Sequence, residues 1–222
     1  MDPLVLSVSP QVVLLAAGLV LALLFTGCDA TEPDVRRVVE GVDFDRLFAP
    51  ATPAEIAAIE AGWAGRDVSA RDVDDVFSTT SGSGDSASTL RVVSHRVGGV
   101  KHYGAVIAPQ TAAPQSLPVL LYLHGGDRGI DLGEVMTALE LEPTLRRQFV
   151  VVVPSFRSET LRLAGRTYAS EGPPSPWDYD VDDALALLDV ALATTPAADP
   201  SNVGALGFSR GAAVGMLAAA RD

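Results

Sequence analysis

The residues best suited to chemistry form a G-x-S-x-G pentapeptide, Gly207 to Gly211, near the end of the 222-residue sequence. Its serine, Ser209, follows the apolar stretch NVGALGF and precedes the small-residue stretch AAVGMLAAA, which predict a strand and a helix. A serine on a tight turn between these elements can act as a nucleophile, because the helix N-terminus favours negative charge on its oxygen. The alternative is a glycine-rich turn in which Ser209 only caps the helix.

A second glycine motif, His124 to Asp127, follows the apolar stretch LPVLLYL. A serine that attacks a carbonyl group needs N–H groups directed at the oxygen on which negative charge develops. We expect two backbone amides to form this oxyanion hole, that of Arg210 and that of Gly125 or Gly126. Glycine suits the position because the backbone can approach a substrate without an obstructing Cβ atom.

The periodicity of the sequence predicts the elements that position both motifs. TLRVVSHRV and KHYGAVIAP flank Gly98-Gly99 as a β-hairpin, and LPVLLYLHGG and RQFVVVVPSF are continuous apolar runs typical of buried strands. LGEVMTALELEPTL and VDDALALLDVALA have helical spacing. Strands that alternate with helices predict an α/β fold with a mostly parallel sheet over residues 89–222.

The segment before this domain is predicted to be helical. Thr52-Pro53-Ala54-Glu55 is a capping-box pattern, which begins a helix that runs towards Gly62 or Gly65. A second, weaker helix is predicted from Ser69 through Phe77, and the polar stretch STTSGSGDSAS, residues 78–88, is predicted to be a linker. The helical segment therefore occupies residues 28–77.

The N-terminus resembles a bacterial lipoprotein signal. The apolar run VVLLAAGLVLALLF contains 14 residues, which is short for crossing a bilayer and typical of a signal-peptide core. It is followed by Thr26-Gly27-Cys28, which resembles a lipobox. This resemblance implies removal of residues 1–27, a lipid on Cys28, and a protein tethered to a membrane of the bacterial cell envelope, facing the periplasm or the exterior. The alternative is an uncleaved anchor with a buried cysteine.

Composition excludes several other functions. A formal net charge of −12 argues against nucleic acid as a partner, because phosphate groups need cationic side chains. A single cysteine excludes an internal disulfide framework and a cysteine-built zinc site. The acidic stretch DYDVDD, residues 178–183, imitates the start of a calcium loop but lacks its glycine. We interpret it as a solvated helix N-terminus and expect no metal site and no cofactor.

From about Leu90 to Asp222 the chain resembles the α/β-hydrolase superfamily, in its prolyl-oligopeptidase-like and dienelactone-hydrolase-like branch. The stretches that carry this resemblance are YLHGG, VVVPSFRSE, SPWDYDVDDALALLD and DPSNVGALGFSRG. It implies a serine hydrolase that cleaves carboxylic esters or peptides through an acyl-enzyme at Ser209. Dienelactone hydrolases have cysteine at this position, and oligopeptidases carry a large propeller, for which the residues before Leu90 are too few.

In this family the acid and the histidine of the catalytic triad follow the serine in the chain. The histidines of this sequence are His95, His102 and His124, and all three precede Ser209. The resemblance implies a structural role for His124, although it could serve as an upstream general base. We therefore expect the chain to represent the N-terminal part of a hydrolase that lacks its base and acid. The competing hypothesis is a membrane-tethered binding module with a degenerate hydrolase fold.

Overall fold

The computed structural model describes residues 37–84, 87–141 and 147–221. The predicted signal segment and Cys28 lie outside the described residues. The chain divides into two compact units, Met1–Pro53 and Ala54–Asp222. Among the described residues, no helix has both the length and the apolar character needed to cross a membrane.

The first unit contains a small hairpin and one helical turn. Strands β1 (Val38–Val39) and β2 (Val42–Asp43) pair antiparallel, and helix α1 (Phe44–Leu47) follows directly. The carboxylate of Asp43 accepts a hydrogen bond from the N–H of Arg46 at 3.1 Å and so caps this helix. No residue in the described part of this unit, residues 37–53, was predicted to carry chemistry.

The segment before the predicted domain is only partly helical. Helix α2 (Pro53–Ala64) confirms the helix that was predicted to begin at this segment and to run towards Gly62 or Gly65. The second predicted helix is wrong, because Arg71–Ser81 form strand β3 and pair antiparallel with the next strand. The predicted linker begins too early for the same reason. The β-branched side chains of VFSTT fit a pleated strand, and pairing with a sheet outweighed the weak helical signal of the acidic residues before them.

One six-stranded sheet organises the second unit. It contains β3 and five further strands, which are β4 (Ser88–Val97), β5 (Val100–Pro109), β6 (Leu117–Leu123), β8 (Val150–Pro154) and β11 (Ala198–Gly207). The six strands lie in the order β11-β6-β8-β5-β4-β3. The predicted β4–β5 hairpin is confirmed. The α/β sheet is confirmed too, although only the β11-β6-β8 half is parallel and the rest is antiparallel.

Helices and a small second sheet cover the six-stranded sheet. Helices α4 (Asp178–Thr194) and α5 (Arg210–Arg221) contribute to a core that includes Val119, Leu187 and Val214. A separate core contains Leu132 of helix α3 (Leu132–Leu141) and Leu161. The second sheet has the order β10-β9-β7 and consists of β7 (Ile130–Asp131), β9 (Thr160–Leu163) and β10 (Arg166–Ala169).

Strands β6 and β11 position the two glycine motifs. They run parallel, and their last residues, Leu123 and Gly207, are register partners. The chain segments that follow these strands therefore leave the sheet side by side at its carboxyl edge, where α/β folds place their sites. The other side of β11 is unpaired in the described part of the sheet, and residues 201–206 of this strand are exposed.

Candidate active site

The turn that carries Ser209 has the predicted strand–turn–helix arrangement. Strand β11 ends at Gly207 and helix α5 begins at Arg210, so Phe208 and Ser209 form the whole connection. Ser209 is exposed and has a φ of +49°. A left-handed backbone at a residue other than glycine costs about 1–3 kcal/mol and persists only where its surroundings enforce it. We call Phe208, Ser209 and Arg210 the serine turn.

Two glycines make this conformation possible. A Cβ atom on Gly207 would overlap the backbone of Gly211, and a Cβ atom on Gly211 would overlap the carbonyl oxygen of Leu123. The start of helix α5 therefore packs directly on the ends of β6 and β11. This contact explains why glycine stands at both ends of the pentapeptide.

The predicted oxyanion-hole residues lie around the serine turn. A Cβ atom on Gly125 would lie 3.2 Å from Cβ of Ser209, and the N–H of Phe208 donates to the carbonyl oxygen of Leu123 at 3.1 Å. No hydrogen bond between described residues uses the amide N–H of Gly125, Gly126 or Arg210. Three N–H donors close to an exposed serine are thus free to bind a ligand oxygen.

The side chain of Arg210 holds this arrangement together. Its guanidinium group donates from Nε and Nη2 to the two carboxylate oxygens of Asp180, at 2.8 and 2.9 Å. Nη1 contacts the carboxylate of Glu159 and donates to the carbonyl oxygen of Gly126 at 3.2 Å. The guanidinium of Arg210, the residue after Ser209, therefore connects the serine turn to helix α4 and to Gly126. Burial raises the pKa of both carboxyl groups, and the charge of Arg210 opposes this shift.

His124 is buried beside the site but faces other groups. Its Nδ1 lies 3.1 Å from the carbonyl oxygen of Gly125, and its Nε2 lies 3.4 Å from Oε2 of Glu159. The ring packs on Phe156 with 4.5 Å between ring centroids. Burial lowers the pKa of His124, which keeps the ring neutral near pH 7. Nε2 has no hydrogen-bond partner among the described residues, and His124 forms no hydrogen bond with Ser209.

The other two histidines lie far from the serine turn. His95 and His102 are cross-strand partners on β4 and β5, and β6 and β8 separate these strands from β11. Both are buried, and burial lowers their pKa values to about 4 and about 3. Among the described residues, none forms a hydrogen bond to their ring nitrogens, although Nε2 of His102 lies 3.4 Å from the carboxylate of Asp183.

The interpretation of DYDVDD as a solvated helix start is wrong for three of its four carboxylates. Asp180, Asp182 and Asp183 are less than 5% exposed. Each of the four aspartates forms an ion pair with a different arginine, and we call them the aspartate cluster: Asp178 with Arg66, Asp180 with Arg210, Asp182 with Arg221, and Asp183 with Arg157. No group of metal-ligating side chains occurs in the described residues.

The chain is similar to several solved structures. No family model and no curated protein sequence matches the chain. A glucuronoyl esterase from Solibacter usitatus is 14% identical, with a TM-score of 0.51, over 77% of this chain and 55% of that chain. Acetyl xylan esterase 1 from Thermoanaerobacterium sp. JW/SL YS485 is 18% identical, with a TM-score of 0.48, over 78% of this chain and 56% of that chain. An S-formylglutathione hydrolase from Agrobacterium tumefaciens is 18% identical, with a TM-score of 0.44, over 67% of this chain and 57% of that chain.

The chain therefore spans little more than half the length of each of these solved structures. The second unit has a mixed sheet flanked by helices, with the serine turn at the carboxyl edge of the sheet. The fold of the second unit is a partial α/β-hydrolase fold.

Proposed function

We propose that this chain provides the nucleophile and the oxyanion hole of a serine hydrolase that acts on carboxylic esters or peptides. The observation that carries the proposal is the exposed Ser209 with its φ of +49°, directly beside Gly125. A backbone strained at one exposed hydroxyl residue supports a functional role for that residue. The nearby amides without partners support a role in stabilising an anion.

In this mechanism the Ser209 oxygen attacks the carbonyl carbon of the substrate while a general base takes its proton. The N–H groups of Arg210 and of Gly125 or Gly126 donate to the oxygen that becomes negative. The N-terminus of helix α5 adds favourable electrostatic potential at the same place. Collapse of the tetrahedral intermediate expels the alcohol or amine and leaves an acyl-enzyme, which water then hydrolyses. No cofactor takes part in these steps.

None of the three histidines is proposed as the general base. His124 faces Gly125 and Glu159, and the other two lie on β4 and β5. Asp180 and Glu159 bind the guanidinium of Arg210 and so orient the serine turn, and Glu159 also faces His124. We therefore propose that the 222-residue chain alone has no triad-dependent turnover. This same observation favours the alternative, a non-catalytic binding module with a hydrolase fold.

Chemical rescue distinguishes the two functions. Hydrolysis of p-nitrophenyl acetate is measured with and without added imidazole, which can replace an absent histidine, for the native chain and for Ser209→Ala. Without imidazole we expect equal rates. With imidazole we expect the native chain to exceed Ser209→Ala in rate, whereas Ser201→Ala, a change at an exposed serine of strand β11, should behave like the native chain. Equal rates for all three proteins with imidazole would favour the binding module.

We also propose that Cys28 carries a lipid and tethers the protein to the bacterial cell envelope. The apolar run before Thr26-Gly27-Cys28 supports this proposal. In bacteria grown with radioactive palmitate, the native chain should be labelled, and Cys28→Ala should be unlabelled and of higher mass. Equal labelling of both proteins would contradict the proposal.

A further inference from the structure

Trp177 is an exposed aromatic residue held in a strained conformation close to the proposed site. It has a φ of +75° and a ψ of −57°, and its side chain is 53% exposed. A large side chain in this region of backbone space is a steric outlier, which costs free energy unless its surroundings enforce it. An exposed tryptophan adds a second cost, because its apolar surface remains in water.

A hydrogen-bonded carboxylate connects Trp177 to the serine turn. The N–H of Trp177 donates to Oδ2 of Asp180 at 2.8 Å, and Nε of Arg210 donates to the same oxygen at 2.8 Å. Asp180 is fully buried. The carboxylate of Asp180 therefore binds both the strained backbone at Trp177 and the side chain of Arg210, the residue after Ser209. Pro173, Pro174 and Pro176 precede Trp177 and restrict this loop further.

Phe208 supplies a second exposed ring at the same turn. It directly precedes Ser209, is 51% exposed, and lies 5.7 Å from the ring of Tyr122 between centroids. The charged side chains nearby, Asp180, Glu159 and Arg210, are occupied with one another. Two aromatic faces and backbone N–H donors are thus available to a substrate, and the exposed Asp127 and Arg128 follow Gly126 in the chain. The two aromatic faces favour a substrate with an aromatic ring, because such rings stack on one another.

We propose that Trp177 is a substrate-binding residue of the Ser209 site and that this site takes esters carrying an aromatic ring. The inference rests on the proposed function, because it assigns the substrate class of that site. The indole stacks on the ring of the substrate while the ester carbonyl lies at Ser209 and the free amides. The strained backbone fixes the indole in advance, so that less side-chain freedom is lost on binding.

Binding at Trp177 can be measured by NMR without any catalytic turnover. The sequence contains only two tryptophans, Trp63 and Trp177, so the indole spectrum is simple. The full chain, labelled with 15N in its tryptophan indoles, gives two N–H signals in a heteronuclear NMR spectrum. Trp63 is the internal control, since its indole donates to Asp178 at 3.3 Å and belongs to a different surface cavity of about 360 Å³. The variant Trp63→Phe assigns the two signals. Benzyl acetate, hexyl acetate and a monoacetylated xyloside are titrated separately.

We expect benzyl acetate to shift the Trp177 signal with a midpoint about two- to tenfold lower than that of hexyl acetate, the gain of one aromatic pair. The Trp63 signal should move less, and Ser201→Ala, a change at an exposed serine outside the site, should bind equally well. Trp177→Gly, in which glycine accepts the left-handed backbone, should lose saturation transfer to benzyl acetate, and Trp63→Phe should keep it. Equal midpoints for benzyl and hexyl acetate, tighter binding of the xyloside, or unchanged transfer in Trp177→Gly would overturn the inference.

The NMR titration of Trp177 and the imidazole assay of hydrolysis can succeed or fail independently. Serine-dependent hydrolysis in the imidazole assay without a shift of the Trp177 signal would overturn the aromatic site and leave the nucleophile standing. A shift of Trp177 by benzyl acetate without serine-dependent hydrolysis would leave an aromatic binding site and overturn the hydrolase.

Discussion

Two polar regions of the second unit meet at Arg210 and differ in how their polar groups are used. In the aspartate cluster, all four carboxylates are paired with arginines, and three of them are buried. At the serine turn, the backbone is strained, Ser209 is exposed, and nearby amides have no partner among the described residues. Polar groups that satisfy one another stabilise the fold, whereas groups held open at a cost in free energy are available to a ligand.

The largest change in the free energy of unfolding is expected from a substitution in the aspartate cluster. Asp183 receives hydrogen bonds from the backbone N–H and the guanidinium of Arg157, at 2.6 to 3.1 Å. Asp183→Asn should lower the free energy of unfolding by about 3–5 kcal/mol, because a buried guanidinium loses its counter-charge. Urea denaturation at pH 7 measures the change.

The matched control is Asp72→Asn, since the Asp72 side chain is 77% exposed and lies 3.6 Å from Arg96. Its free energy of unfolding should change by less than about 1 kcal/mol. If both variants lost the same small amount, the cluster would not be a stabilising network, and the contrast with the serine turn would disappear.

A smaller effect is expected from the buried histidines. The pKa of His95 is about 4 in the folded chain, against an ordinary value of 6.5. Between these pH values the unfolded chain binds a proton that the folded chain does not, so stability falls as the pH drops from 6.5 towards 4. Asp183, which faces His102, has a pKa raised to about 6 by burial and acts in the opposite direction.

The variant His95→Leu isolates this contribution, because the other titrating groups remain. Between pH 6.5 and 4.5 the native chain should lose about 2 kcal/mol more of its free energy of unfolding than the variant does. Urea midpoints measured across this range provide the comparison. Parallel curves for the two proteins would show that His95 does not titrate differently in the folded and unfolded chains.

The smallest effect concerns the strain at Ser209. Glycine adopts a φ of +49° without steric cost, whereas alanine does not. Ser209→Gly should therefore be more stable than Ser209→Ala by about 1 kcal/mol, measured as the difference in thermal unfolding. A variant Ser209→Ala as stable as Ser209→Gly would mean that the turn stores no strain, and the proposed distinction between the two regions would lose its basis.

The same contrast explains which features the sequence could predict. The serine turn depends on local chemistry, since Gly207, Ser209 and Gly211 lie within five consecutive residues. The stretches on either side of them, NVGALGF and AAVGMLAAA, predicted the strand and the helix. The aspartate cluster depends on long-range pairing. Arg66 and Asp178 are 112 residues apart, and no local pattern indicates that such residues meet. DYDVDD therefore matched an ordinary helix start, although its arginine partners are supplied by three separate segments, the last of which is helix α5.

Strand β3 was missed for a related reason. The acidic residues from Asp72 to Asp75 imitate the first turn of a helix, and only pairing with β4 makes this segment a strand. The strain at Trp177 had no signal in the sequence either. It accompanies the hydrogen bond from the N–H of Trp177 to Asp180, which also binds Arg210. Parallel strands β6, β8 and β11, by contrast, were predictable from their continuous apolar runs and the glycines that follow two of them.

The central claim, that Ser209 is a nucleophile beside a formed oxyanion hole, is tested most directly by trapping its acyl-enzyme. The native chain is incubated with p-nitrophenyl acetate and imidazole, quenched with acid, digested and analysed by mass spectrometry. We predict one acetyl group on the peptide that contains Ser209, located on that residue, and none on the exposed Ser201. Acetylation of Ser201 to the same extent, or no acetyl group on Ser209, would contradict the account.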